Sequence, residues 1–156
     1  MQHAAEDFAA EMAQLCMGSR IGRLHRVVAR RFELALAPTG LTPPQLEILA
    51  ALTVAGGAVT PSALAHVLAV ERSTMSRNLA LMRERGWVEP AELSPSGRTT
   101  TVAITTAGGE TFTNARRAWR EAQDAVIGAL GAGAPTALDD WLTGLGVPVP
   151  SVEVAG

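Results

Sequence analysis

Apolar positions recur at helical spacing through most of this chain, and clear stop and start signals break the pattern into segments. Phe8, Met12, Leu15, Leu24, Val27, Val28, Phe32 and Leu36 predict one long helix over about 5–36. Gly18 and Gly22 weaken it by up to ~1 kcal/mol each relative to alanine. Their i, i+4 spacing suits either close approach by another helix or a bend. Pro38-Thr39-Gly40 ends the segment. Thr42 then stands as an N-cap before Pro43, a favoured first helical residue. Leu46, Leu49, Ala50 and Leu52 make the apolar face of that helix, and Gly56-Gly57 stops it. Thr60-Pro61 repeats the start signal for a short helix over 61–68 that buries Leu64, Val67 and Leu68. A further helix spans about 71–85, with Met75, Leu79 and Met82 as its stripe and Gly86 closing it.

The period then changes. Trp87-Val88 and Thr99–Ile104 are β-prone and flank the turn Ser94-Pro95-Ser96-Gly97-Arg98, so a hairpin is expected. Thr105 or Thr106 caps a helix over about 107–131, with Phe112, Ala115, Trp119, Ala122 and Val126 on one face. Gly131-Ala132-Gly133-Ala134-Pro135 reads as a hinge. A last helix over about 136–145 carries Leu138, Trp141, Leu142 and Leu145, and the tail 147–156, with two prolines, is expected to fray. Two short helices, a tight connection and a hairpin are the order of a winged helix-turn-helix. The expected fold class is therefore mainly α with a small β-hairpin wing. A single domain over 1–156 would hold a DNA-binding lobe at about 42–106, flanked by helices at about 5–36 and 107–145. The apolar excess at both termini needs a partner surface, which a twofold homodimer supplies.

Composition narrows the function more than the fold. No apolar run approaches the ~18 residues that span a bilayer, so no membrane partner is expected. Glu6, Asp7 and Glu11 sit where a secretory signal would carry basic residues, and the single cysteine, Cys16, excludes an intrachain disulfide; both suit the cytoplasm. A net charge of −2 argues against indiscriminate coating of nucleic acid, so DNA binding must come from placement. All basic residues are arginine. Arg72, Arg77, Arg83, Arg85 and Arg98 crowd residues 71–98 against four glutamates. His3, His25 and His66 lack metal-ligand spacing. With no Ser/His/Asp set, phosphate loop or paired carboxylates in context, no metal, cofactor or enzyme activity is expected.

The candidate DNA contacts are Thr60, Ser62, Arg72, Ser73, Thr74, Ser76, Arg77, Asn78 and Arg98. Short polar side chains and one arginine at the start of an exposed helix suit a major groove, where arginine pairs with guanine O6/N7. Backbone N–H groups of a helix N-terminus suit phosphate. The same residues also fit an ordinary capped surface helix. Arg72 fits a phosphate or a neighbouring carboxylate, Arg98 a minor groove or a solvated turn, and Arg83 and Arg85 rim charges or ion pairs.

Gly40-Leu41-Thr42-x-x-Gln45, Glu71-Arg72-Ser73-Thr74-Met75-Ser76-Arg77, Arg85-Gly86-Trp87-Val88 and Arg98 ahead of Ile104-Thr105 together resemble the multiple-antibiotic-resistance-regulator (MarR) family over about 5–145. The resemblance implies a dimeric, sequence-specific transcription regulator, a repressor acting on double-stranded DNA at a pseudo-palindromic operator. It also implies a wing arginine in the minor groove and a small-molecule effector between the dimerisation helices and the DNA-binding lobe. Here the wing reads Ser96-Gly97-Arg98-Thr99, without the aspartate two residues before the arginine or the basic residue after it that the family carries. Cys16, Arg20, Leu49 and Trp119 are the candidate effector contacts. An apolar or phenolic carboxylate would suit an apolar cleft holding one arginine. Cys16 also resembles, in placement, the peroxide-sensing thiol of some family members. The chain has no tyrosine to hold a thiolate, so an ordinary thiol pKa is expected. Two alternatives stay open: a peroxide sensor acting through Cys16, and a winged-helix module that binds protein instead of DNA.

Overall fold

Each threonine-led start caps a helix. In the computed structural model, which describes residues 2–93 and 100–147, Thr42 precedes helix α3 (Pro43–Ala55), and its N–H donates to Gln45 Oε1 at 3.1 Å. Thr60 precedes α4 (Pro61–Val67), its hydroxyl accepting from the Ala63 N–H at 3.2 Å. Thr105 precedes α6 (Thr106–Asn114), its hydroxyl accepting from the Gly108 N–H at 3.0 Å. Each cap satisfies a donor that a helix end leaves open.

The long N-terminal helix divides, and not at either glycine. Helix α1 (Gln2–Leu15) ends at Cys16, whose backbone is extended (φ −65°, ψ 106°), and α2 (Met17–Leu36) begins after it. Gly18 and Gly22 lie inside α2. The thiol itself serves as the cap, accepting from the Ser19 N–H at 3.4 Å. The C-terminal segment also divides, at Ala115, into α6 and α7 (Arg116–Leu130), followed by α8 (Ala134–Gly144). The N–H of Trp119 still donates to the Ala115 carbonyl at 2.9 Å, so the joint bends the helix without ending its bonding.

Between these ends lies the winged helix-turn-helix. Helix α4, a turn over 68–71 and α5 (Arg72–Glu84) are followed by β1 (Val88–Leu93) and β2 (Thr100–Ile104). The strands pair antiparallel, Val88 with Ile104 and Pro90 with Val102, with a register shift between Pro90 and Leu93. Val59 bridges Val102 from the other side through bonds of 2.9 and 2.8 Å. Strand β2 is thereby central and Pro90, which has no N–H to give, sits on an edge. Leu46, Ile48, Leu49 and Leu52 of α3, Leu64 of α4 and Met75, Leu79 and Met82 of α5 close the core under Trp87, Val88 and Val102. Val67, expected inside, is 48% exposed. In the turn, Ala69 has φ 51°, a left-handed conformation in a residue other than glycine. It lets the Val70 N–H reach back to the Ala65 carbonyl at 3.0 Å and sets the angle between α4 and α5.

Candidate nucleic-acid interface and adjoining cleft

Met75, Leu79 and Met82 pin α5 to the core by one stripe. At helical spacing this turns Ser73 and Arg77 away from the core and sets Ser76 on the flank opposite Thr74, and all three are exposed. Arg72 is exposed at the first turn, beside Ser62 and His66 of α4. The N-cap is itself acidic: Glu71 stands at the helix end without a side-chain capping bond, and no further carboxylate follows it in the first turn. Arg77 lies along its own helix, Nε donating to the Ser73 carbonyl at 3.3 Å. Neither Arg72 nor Arg77 has an ion-pair partner among the described residues. Arg85 does not extend the rim; its guanidinium lies 5.4 Å above the Trp87 ring. The Thr60 hydroxyl accepts the capping bond of α4 and keeps its proton to donate. Arg98 lies outside the described residues.

Thr74 and Asn78 take a different direction from the other α5 candidates. They sit on the flank of α5, where Asn78 Nδ2 donates to the Thr74 carbonyl at 3.0 Å, and both line a cleft of about 580 Å³ between α2, α3, α5 and α7. The rest of its wall is largely apolar, with Val28 and Phe32 of α2, Pro44 of α3 and Trp119 of α7. The charged or titratable groups lining it are His25, Glu33 and Glu47. Glu33 leans toward Arg30, 3.4 Å away. Glu47 has no ion-pair partner among the described residues. Glu47 is exposed at the edge of the cleft, where partial desolvation shifts its carboxyl upward and the nearby His25 opposes the shift.

The four expected effector contacts do not come together. Trp119 lines the cleft, but Leu49 is fully buried in the core. Cys16 and Arg20 stand at the α1–α2 joint, where the Arg20 guanidinium donates to the Gln14 carbonyl. Arg116 lines an adjoining hollow together with Glu47 and Trp119, but among the described residues no arginine lines the cleft itself. The anionic ligand expected from Arg20 therefore loses its partner. Glu47, His25, Phe32 and Gln123 were missed by sequence reasoning. The signal available for Glu47 was a lone carboxylate inside the apolar run Leu46–Leu52.

The ordinary thiol expected for Cys16 is also corrected. Its pKa is lowered, chiefly by a side-chain hydrogen bond from Ser19 and then by the backbone N–H of the same residue. A thiolate at a helix N-terminus needs no tyrosine to be favoured. Among the described residues, no group of three His, Cys, Asp or Glu side chains could hold a metal ion, and no helix is long and apolar enough to cross a membrane.

Residues 39–98 match the family model described as the MarR family. No curated protein sequence matches significantly. The transcriptional regulator MosR of M. tuberculosis, in complex with DNA, is 29% identical with a TM-score of 0.73, over 84% of this chain and 95% of that one. A mutant MarR of E. coli complexed with operator DNA is 22% identical with a TM-score of 0.75, over 86% and 96%. CouR of Rhodococcus jostii RHA1, bound to p-coumaroyl-CoA, is 19% identical with a TM-score of 0.72, over 86% and 94%. The last two likenesses bear on the fold alone.

Proposed function

Because the chain belongs to the MarR family, we propose that it is a homodimeric DNA-binding transcription regulator, a repressor whose hold on its operator is lowered by a small ligand in the cleft. The outward face of α5 carries this reading. Ser73, Ser76 and Arg77 are exposed, and beyond the acidic cap Glu71 the first turn carries no carboxylate. Ser73, Ser76 and Arg77 enter the major groove, Arg72, Ser62 and Thr60 approach the backbone, and Arg98 on the wing enters the minor groove. Two copies related by a twofold axis read half-sites about one helical turn, ~10 bp, apart. The protein-binding alternative has less in its favour, because the exposed side chains of that face are mostly short and polar or arginine, with Leu81 the large apolar one among the described residues.

Thr74 and Asn78 link the two sites. A ligand that fills the cleft touches the flank of the helix whose opposite side meets DNA. It releases DNA only if it prefers the α5 position that DNA does not. Such couplings are typically about 1–3 kcal/mol.

The test is fluorescence anisotropy on a fragment footprinted upstream of the protein's own gene, at matched salt. Arg77→Ala is expected to cost about 1–3 kcal/mol on the specific site and to relax base preference. Arg98→Ala should weaken binding with less change in preference. Both variants binding like the parent would remove the groove assignment.

A second reading gains from the lowered thiol of Cys16. There, an organic hydroperoxide oxidises Cys16 to the sulfenic acid and is itself reduced to the alcohol. Cys16 caps α2, so the change would act on the α1–α2 joint. A stoichiometric dose should then release the parent from DNA and leave Cys16→Ser bound; equal retention of both would discard the redox reading.

A further inference from the structure

The end of α5, the base of the wing and the start of α6 meet at one side chain. We infer that Thr105 is a positioning residue for DNA recognition: its hydroxyl ties the end of α5 to α6 and so aims the groove-facing side chains without touching DNA. The inference rests on α5 being the DNA-facing helix.

The hydroxyl makes two bonds at once. It accepts the Gly108 N–H at 3.0 Å, which caps α6, and it donates to the Gly86 carbonyl at 2.6 Å, 19 residues away in the chain. An N-cap needs only the acceptor, and Ser, Thr, Asp and Asn all provide one. The donated bond is therefore more than α6 requires. Thr60 caps α4 with the same acceptor, and among the described residues its hydroxyl makes no second bond. Gly86 is the residue that closes α5. Its φ is 70°, its N–H returns to the Arg83 carbonyl, and the Trp87 N–H returns to the Met82 carbonyl, both at 2.9 Å. The carbonyl that Thr105 holds belongs to this turn, so the bond fixes the end of the helix. The neighbouring residues strengthen the joint. The Thr105 N–H donates to the Trp87 carbonyl at 3.0 Å, and Val88 pairs with Ile104 at the base of the wing.

The Met75, Leu79 and Met82 stripe holds α5 on the core, but apolar burial is not directional. The tether adds direction at one end. At the rise of an α-helix, Glu84 lies roughly 10 Å along the axis from Arg77, so a tilt at this end is carried to the side chains in the groove. Hydrogen bonds to base edges need their donors held within about 0.5 Å and 10–20°. Phosphate contacts tolerate more, because charge attraction falls off gently with distance. Loss of the tether should therefore weaken specific binding and leave non-specific binding, which is mainly electrostatic, nearly unchanged. A residue that only held the fold together would lower both.

The experiment uses the intact protein and two duplexes of equal length, the footprinted operator and a scrambled sequence, by anisotropy at matched salt. Thr105→Ser keeps both bonds and should bind each duplex like the parent. Thr105→Asp keeps the cap, but an ionised carboxylate has no proton to donate. Thr105→Val keeps neither bond. Both are expected to bind the operator at least fivefold more weakly than the parent, and the scrambled duplex within about twofold of it. Thr105→Val should also melt earlier; if it is unfolded at the assay temperature, Thr105→Asp carries the test. If neither folds, the bond is a requirement of the fold, and the inference is overturned. In an Arg77→Ala background the operator loss from Thr105→Asp should shrink to about twofold, because the contact it misaligns is already gone. Operator binding by Thr105→Asp equal to the parent's, an equal loss on both duplexes, or a fully additive loss with Arg77→Ala each overturns the inference and leaves α5 as the DNA-facing helix. If Arg77→Ala alone binds the operator like the parent, it is the reading of α5 that fails, and the inference falls with it.

Discussion

Replacing Phe8 and Met12 together by glutamate should yield a monomer that has lost most of its operator affinity. Every residue whose exposure is described in α1 is exposed, including Phe8 at 65%, Met12 at 51% and Leu15 at 65%. The three fall at i, i+4 and i+7, on one face. Helix α8 and its C-cap show the same exposure, with Trp141 at 58% and the capping Leu145 at 77%. Isolated helices of about 12–15 residues are marginal in water, so an α1 exposed along its described length needs a second surface. Burying a large apolar side chain is worth about 1.5–3 kcal/mol. Phe8, Met12 and Leu15 from two protomers put six such groups in a twofold interface, enough to offset the ~4–15 kcal/mol that association costs. The double substitution removes four of those gains and adds the desolvation penalties of four carboxylates. Loss of the dimer uncouples the half-sites, and linked sites commonly lose 10²–10⁴ in affinity when separated. Sedimentation velocity at micromolar concentration and anisotropy on the operator report the two effects separately. A double variant that stays dimeric would show that α1 is not the interface.

Gly108→Ala should destabilise the fold by about 3 kcal/mol or more, although the substitution ordinarily strengthens a helix by roughly 1 kcal/mol. The site decides the sign. A Cβ on Gly108 would stand 2.1 Å from the Trp87 carbonyl oxygen, 2.9 Å from its carbon and 3.1 Å from Ile104 Cγ1. That carbonyl is not free to move, because it accepts the Thr105 N–H at 3.0 Å. The Thr105 hydroxyl meanwhile donates to the Gly86 carbonyl at 2.6 Å. A methyl group here must push α6 off the base of the wing and break this clasp. Gly109 is the control, since a Cβ there meets nothing within 4 Å. Gly109→Ala should be neutral or stabilising by up to about 1 kcal/mol. Urea unfolding at one fixed protein concentration compares the pair. Equal midpoints would mean that the close approach at Gly108 relaxes without cost.

Most of the winged helix-turn-helix was legible in the chain because its signals are local. Thr42, Thr60 and Thr105 each act on a residue three positions away, and the Met75–Leu79–Met82 stripe orients α5 by spacing alone. The joints and the cleft were not legible. The N-terminal bend depends on a thiol acting as a cap, which no propensity favours, and it carries Arg20 away from the place its spacing suggested. Ala115 is among the best helix formers, yet the helix bends there, with its side chain fully buried in the core. In α3 the apolar run is nearly continuous, so no period distinguishes Leu49, which is buried, from Glu47 next but one to it, which faces the cleft. Sequence determined what each segment is and which face of α5 is free, since those follow from contacts within a turn or two. Only the tertiary structure decided which side chains share the cleft and what charge they leave there. Those depend on four helices meeting, and no spacing along one of them encodes the others.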